Sequence, residues 1–277
     1  MIDHSLKKIV KHIDISKFNV TDMVDQMEST SFTSREIYNS CQLYKEMLED
    51  NNLSIILTIA GSTQAAGCLQ LYRDLVKYNM VDVIVATGAS IIDMDLFEGL
   101  GNKHYIGSSK ADDNILREEY IDRIYDTYIS EDDLKQVDNF IKDFADKNCS
   151  WKIQSSREFL NLLGWHTRTS NSLVQECYKE DVPIFCPALN DSAAGIGLLM
   201  HQTDAIGHRV PMHQYAIQLT VADVRDGACS SSTLDEATSW GKVDNSNTQM
   251  VYGEATSTLP IIANYAYHNT DIENRKR

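Results

Sequence analysis

Two apolar stretches decide the reading of this chain: LSIILTIAG at residues 53–61 and VDVIVATGAS at residues 81–90. Each is the near-continuous hydrophobic run of a strand buried on both faces, and each ends in small residues. Between them, STQAAG opens a helical pattern that runs through Tyr78. Strand, helix and strand in that order predict a right-handed βαβ unit with parallel strands. Ligands of such sheets lie beyond the carboxyl ends of the strands, here at Gly61, Ser62 and Thr63 and at Thr87, Gly88 and Ala89. Small residues let phosphate or ribose approach the backbone there, and a following helix N-terminus favours an anion. Neither turn is a full G-x-G-x-x-G or Walker motif, so a generic βα turn fits the same residues.

Upstream, the spacing of Met23, Met27, Ile37, Leu43, Tyr44 and Leu48 predicts two packing helices broken near residues 31–34. Downstream, residues 112–147 read most simply as a pair of charge-rich amphipathic helices, with Tyr120, Ile121, Ile124, Tyr125 and Tyr128 as an aromatic stripe for core or subunit contact. SSREFLNLLGWH and NSLVQECYKE read as further helices. VPIFCPALND at residues 182–191 reads as a third buried strand ending in Asp191, whose carboxylate suits either the cap of the next helix or a ribose hydroxyl. SAAGIGLLMHQ follows as a helix close to the sheet, then a strand at residues 213–223. The chain closes on a strand, a small-residue turn at 254–256 and a final helix.

The fold class is therefore α/β, a mostly parallel sheet flanked by helices, in one domain over residues 1–277. A formal net charge of −15 argues against nucleic acid and favours cationic ligands, although an acidic surface also serves solubility alone. Six cysteines without a C-x-x-C pair suit neither a zinc ribbon nor a secreted disulfide framework, so reduced thiols and the cytoplasm are expected, with no metal. No run approaches a membrane span.

DGACSSSTLDEATSWGK at residues 226–242 concentrates chemistry. An amine nucleophile needs a lowered pKa, and an aromatic wall is one way to disfavour the ammonium form; Trp240 stands two residues before Lys242. Asp235 and Glu236 offer carboxylates to a cationic substrate, and Trp240 a cation–π face. Taken singly, each of these residues is more often an ordinary surface residue.

DEATSWGKV, after DGACSSSTL, resembles the signature of the deoxyhypusine synthase family, whose active-site lysine lies in S-W-G-K. VKHIDIS, LTIAGSTQAAG, YNMVDVIVATGAS, YIDRIYDTYI, VPIFCPALNDS and VYGEATSTLP resemble family segments in family order, several of them closest to the bacterial deoxyhypusine synthase-like and homospermidine synthase branch. The resemblance implies a Rossmann-like fold, a homotetramer with NAD at dimer interfaces and spermidine as donor of an aminobutyl group. That group is held as an imine on lysine, then given to an acceptor amine: a translation-factor lysine, or putrescine in homospermidine synthases. By position, Lys242 forms the imine, Trp240 packs on the polyamine, Glu236 binds an ammonium end and Ser230 touches the polyamine. On the cofactor side the matches are Gly61, Ser62, Thr87, Gly88, Ala89, Asp191, Asp226, Gly227, Glu254 and Ala255.

Two departures stand out. Cys229 and Ile196 occupy positions where the protein-modifying enzyme has substrate-binding Asp residues, which favours a small-amine acceptor. Between Gln202 and Val210 the sequence QTDAIGHRV passes directly between elements that relatives separate by a βα unit of about thirty residues. An internal deletion near 203–210 would expose strand edges, and either a non-catalytic NAD- or polyamine-binding paralogue or another segment or subunit that fills the gap is consistent with it. His208 and His213 flank the junction.

Overall fold

The structure, a computed structural model, describes residues 6–149, 155–167, 171–187, 189–204, 249, 251 and 253–275, with no side-chain description for 202–204. A short helix, α1 (Thr21–Met27), and a long one, α2 (Thr33–Glu49), precede strand β1 (Ile56–Ile59). A wide helical turn at Gln64–Cys68 leads into α3 (Leu69–Lys77), then β2 (Val83–Ala86). A helical segment at Ala89–Leu96 continues as α4 (Phe97–Gly99). Strand β6 (Ile184–Phe185) completes a parallel sheet of order β1, β2, β6, in register Ile56 to Val83 and Ile84 to Ile184. The βαβ expectation holds for these parallel pairs, with shorter strands than the apolar runs. One part of it fails: Ile56 on the outer strand is 59% exposed, so β1 is not buried on both faces.

The charge-rich region is a second departure. Only α5 (Asp113–Glu118) and α6 (Glu131–Asn148) are helical, and the YIDRIYDTYI segment is a β-hairpin of β4 (Ile121–Ile124) and β5 (Thr127–Ser130). With β3 (Tyr105–Ile106) it forms an antiparallel sheet of order β3, β5, β4. Tyr120 and Tyr125 sit at φ of 57° and 54°, left-handed conformations that break a helix and close the turn. β-Branched and aromatic residues suit the pleated strands. The expected stripe divides accordingly: Tyr128 is fully buried, while Tyr120 and Tyr125 are exposed.

Helices α7 (Ser156–His166) and α8 (Leu173–Lys179) match the sequence reading, α7 opening on a complete Ser155–Glu158 capping box. Helix α9 (Ala193–Asp204) packs against α6, and α10 (Ala255–Asn269) packs against α2. The main core joins Leu71, Leu75 and Val76 of α3 to Ile84 of β2, Ile91 and Leu96 after it, Phe144 of α6 and Val174 of α8. The chain's two ends meet. Buried Asn264 of α10 accepts from the Val20 amide at 2.9 Å and donates to the carbonyls of Ile15 and Phe18 at 2.7 and 2.8 Å. The strand expected at 213–223 lies outside the described residues. Among the described residues no helix is long and apolar enough to cross a membrane.

Candidate functional site

The carboxyl ends of β1 and β2 are joined by side chains. Gly61 turns at φ of 76°, a conformation that disfavours any Cβ, and nothing lies within 4 Å of the place a Cβ would occupy. The Ser90 hydroxyl donates to the Gly61 carbonyl at 2.9 Å and lies 2.9 Å from the Thr87 hydroxyl, while the Thr87 amide donates to Ile59. Gly61, Thr87, Gly88 and Ala89 are thus neighbouring parts of one rim. Gly88 is itself helical, at φ of −57°.

The third strand reaches the same rim through a residue not anticipated from sequence. Asp93 accepts from the Ala193 amide at 2.8 Å, tying the helix after β2 to the helix after β6. Burial pushes its carboxyl up to about 6, against the pull of that amide and with help from the negative charge of Asp138 and Asp191. Ser192 serves the same helix end, accepting from the Ala194 amide at 3.2 Å. Capping by Ser192 and Asp93 corrects one of the two roles weighed for Asp191. Its carboxylate is exposed and has no hydrogen-bond partner among the described residues.

Glu254 is the N-cap of α10, accepting from the Thr256 amide at 3.0 Å and from the Thr256 hydroxyl. Those two bonds, the hydroxyl first, hold its carboxyl below the usual range. Ala255 opens the helix. Glu254 and Thr256 face Ser62 and Thr63 across a cleft of about 1150 Å³, whose other walls are residues 7–11 and the β-hairpin. Next to Thr63 in the chain, Gln64 is fully buried and its carboxamide nitrogen has no acceptor among the described residues. Cys68 is also buried, and burial pushes its thiol up to about 11, which makes it unreactive.

The chemistry of a dinucleotide matches groups at two neighbouring places: the open Gly61 turn, the Thr87 hydroxyl and the Asp191 carboxylate at the strand ends, and the hydroxyls of Ser62 and Thr63 in the cleft. Among the described residues no group of three His, Cys, Asp or Glu is placed to hold a metal ion. Lys242, Trp240, Glu236, Ser230, Asp226, Gly227, His208 and His213 lie outside the described residues. Ile196 is exposed on α9. Ser90, Asp93 and Thr256 carry no motif in the sequence; Ser90 and Asp93 are marked only by following a strand end, and Thr256 only by opening a helix.

The deoxyhypusine synthase family model matches residues 22–212 and 204–266. A deoxyhypusine synthase-like protein of Coxiella burnetii is 48% identical over 317 residues, covering 95% of this chain and 90% of its own. Its counterpart in Caulobacter vibrioides is 42% identical over 329 residues, covering 98% of this chain and 89% of the relative. A crystal structure from Entamoeba histolytica assigned as a deoxyhypusine synthase superposes with a TM-score of 0.58 at 17% identity, covering 97% of this chain and 98% of that one, a likeness of fold.

Proposed function

The chain belongs to the deoxyhypusine synthase family, and on that footing we propose that it is an NAD-dependent aminobutyl transferase of the homospermidine synthase type. The observation supporting the cofactor half is the single rim that Ser90 and Asp93 make of three strand ends. A bound nicotinamide supplies reversible storage of a hydride.

In this reading Thr87, Gly88 and Ala89 receive the dinucleotide, Asp191 takes a ribose hydroxyl, Ser62 and Glu254 line the cleft, and Gly61 and Ala255 adjoin them in the chain. Asp226 and Gly227 belong to the same side by family position. Lys242 acts as the amine: it displaces 1,3-diaminopropane from the oxidised spermidine, holds the four-carbon fragment as an imine, and is freed when the acceptor amine displaces it in turn. Trp240 and Glu236 place the polyamine, with Ser230 beside them. Replacement of two substrate carboxylates by Cys229 and Ile196 favours putrescine as acceptor over a translation-factor lysine. A homotetramer with sites at dimer interfaces, in the cytoplasm, follows from the same reading.

The test is incubation with spermidine, putrescine and NAD. Diaminopropane and homospermidine are expected from the native chain and not from Lys242→Ala. Diaminopropane at the level of that control overturns the enzyme reading, and diaminopropane without homospermidine returns the acceptor to a protein lysine.

One observation favours a second reading. The family model matches in two pieces that overlap at 204–212, and the Coxiella alignment runs over 317 positions against 277 residues, leaving at least 40 positions of the relative with no counterpart here. We infer an internal deletion near 203–210. A chain so shortened is a non-catalytic NAD- or polyamine-binding paralogue if it retains NAD without turnover.

A further inference from the structure

The cleft beside Ser62 has a wall that the proposed function leaves unused. In a chain of net charge −15, Lys7, Lys8 and Lys11 line one side of it together. The segment that carries them is laid down as an extended edge and fastened at nearly every step. Ile106 donates to the Lys8 carbonyl at 2.7 Å, Val10 to His104 at 2.9 Å and Ile13 to Gly67 at 2.9 Å, with a bridge between Ile9 and Tyr105. Glu98 holds the imidazoles of His12 and His104 at 2.7 and 2.6 Å.

Gly67 makes the close approach possible. Its φ of 108° suits glycine, and a Cβ there would come within 3.1 Å of the Lys11 carbonyl. The wall is therefore rigid in backbone while its lysines are exposed. Among the described residues neither Lys8 nor Lys11 has an ion-pair partner, although Asp126 and Glu254 line the same cleft. Glu254 is committed to Thr256.

Unpaired ammoniums in a cleft shared with the Ser62 and Thr63 hydroxyls make an anion site and repel a polyamine. We propose that Lys8 and Lys11 are positioning residues for the phosphates of the dinucleotide, which places its pyrophosphate in this cleft. The proposal rests on the NAD reading above and adds to it the wall that recognises the phosphates.

Calorimetric titration of NAD, ADP-ribose and adenosine into the native chain and into the double variant Lys8→Gln, Lys11→Gln tests it. The Kd for NAD and ADP-ribose should rise about tenfold per ammonium lost, while adenosine binding is unchanged. Lys8→Glu with Lys11→Glu should weaken both further. Native-chain affinity for NAD should fall with rising salt, a readout that needs no variant to fold. NAD binding by the native chain that is indifferent to salt and to both double variants overturns the lysine wall and leaves the NAD reading standing. Equal weakening of adenosine and ADP-ribose also overturns it, since phosphate is then not what the lysines read. A native chain that binds neither NAD nor ADP-ribose overturns both.

Discussion

The hydroxyl of Ser90 donates to the carbonyl of Gly61 at 2.9 Å, joining two strand ends that are 29 residues apart in the chain. Ser90 is fully buried, and its oxygen also lies 2.9 Å from the Thr87 hydroxyl. It is the cross-link that keeps the Gly61 turn in register with the Thr87–Ala89 turn.

Ser90→Ala removes that link without leaving a void. The expected loss of stability is about 1 kcal/mol, the ordinary net worth of one such bond. The larger effect falls on the rim: NAD affinity should drop about tenfold or more, because a loosened turn must be reordered on binding. Urea unfolding and NAD titration on the same preparation separate the two. A stability loss with unchanged NAD affinity would show that the link is architectural only.

Arg275 near the chain's end is the second structural test. Its guanidinium is almost wholly buried, donating to Asp82 at 2.6 and 3.0 Å and to the Asn79 carbonyl at 2.9 Å. Asp82 also accepts from the Ile55 amide at 2.7 Å, just ahead of β1. Arg275→Ala strands the carboxylate in the interior, a loss of about 3 to 5 kcal/mol. Adding Asp82→Asn should recover part of it, and the double-mutant coupling read from urea midpoints is the check. Additive losses would rule the pair out as a unit.

What was legible in the sequence follows from the range of each signal. The apolar runs of β1 and β2 are local signals and give strands, while the small residues after β2 pass straight into helical backbone at Gly88. Exposure of Ile56 goes with β1's place at the end of the strand order among the described residues, which no single run records. The hairpin was misread because Ile121, Ile124, Tyr125 and Tyr128 repeat at three to four residues, a helical spacing that two short strands joined by a left-handed Tyr125 reproduce. Asp191 was recognisable as a strand-end carboxylate, but its freedom depends on Asp93 taking the Ala193 amide, a contact between residues 100 apart. Lysines 7, 8 and 11 were invisible as a wall until the Ile9–Tyr105 bridge and the Gly67 contact placed them beside Ser62.

Glu98 gives a prediction with a pH sign. Burial pushes its carboxyl up, and hydrogen bonds from His104 and then His12 overcome that, holding it at about 2 against an ordinary 4.5. A depressed acid stabilises the fold fully above about pH 4.5, and the contribution is lost as pH falls toward 2. Glu98→Gln should therefore cost about 3 kcal/mol near pH 6, with the gap to the native chain narrowing from about pH 4.5 and closing only near pH 2. Denaturant midpoints across that window decide it; a gap that stays constant would mean the two imidazoles are not held by charge.

Asp95 should show the opposite slope. Burial pushes its carboxyl up to about 7, although it accepts the amides of Leu173 at 2.6 Å and Val174 at 3.0 Å and so caps α8. Because the folded-state value lies above the ordinary 3.8, ionised Asp95 is a cost. That cost is full above about pH 7 and shrinks as pH falls from 7 toward 3.8. Asp95→Asn keeps an acceptor for one amide and loses the second, at about 1 to 3 kcal/mol, but carries no buried charge. The variant should trail the native chain most at pH 5 and least at pH 8, a narrowing measured by urea midpoints at each pH. Parallel profiles would show that Asp95 keeps the same protonation on folding, and that α8 is capped by a carboxylate whose charge the interior tolerates without cost.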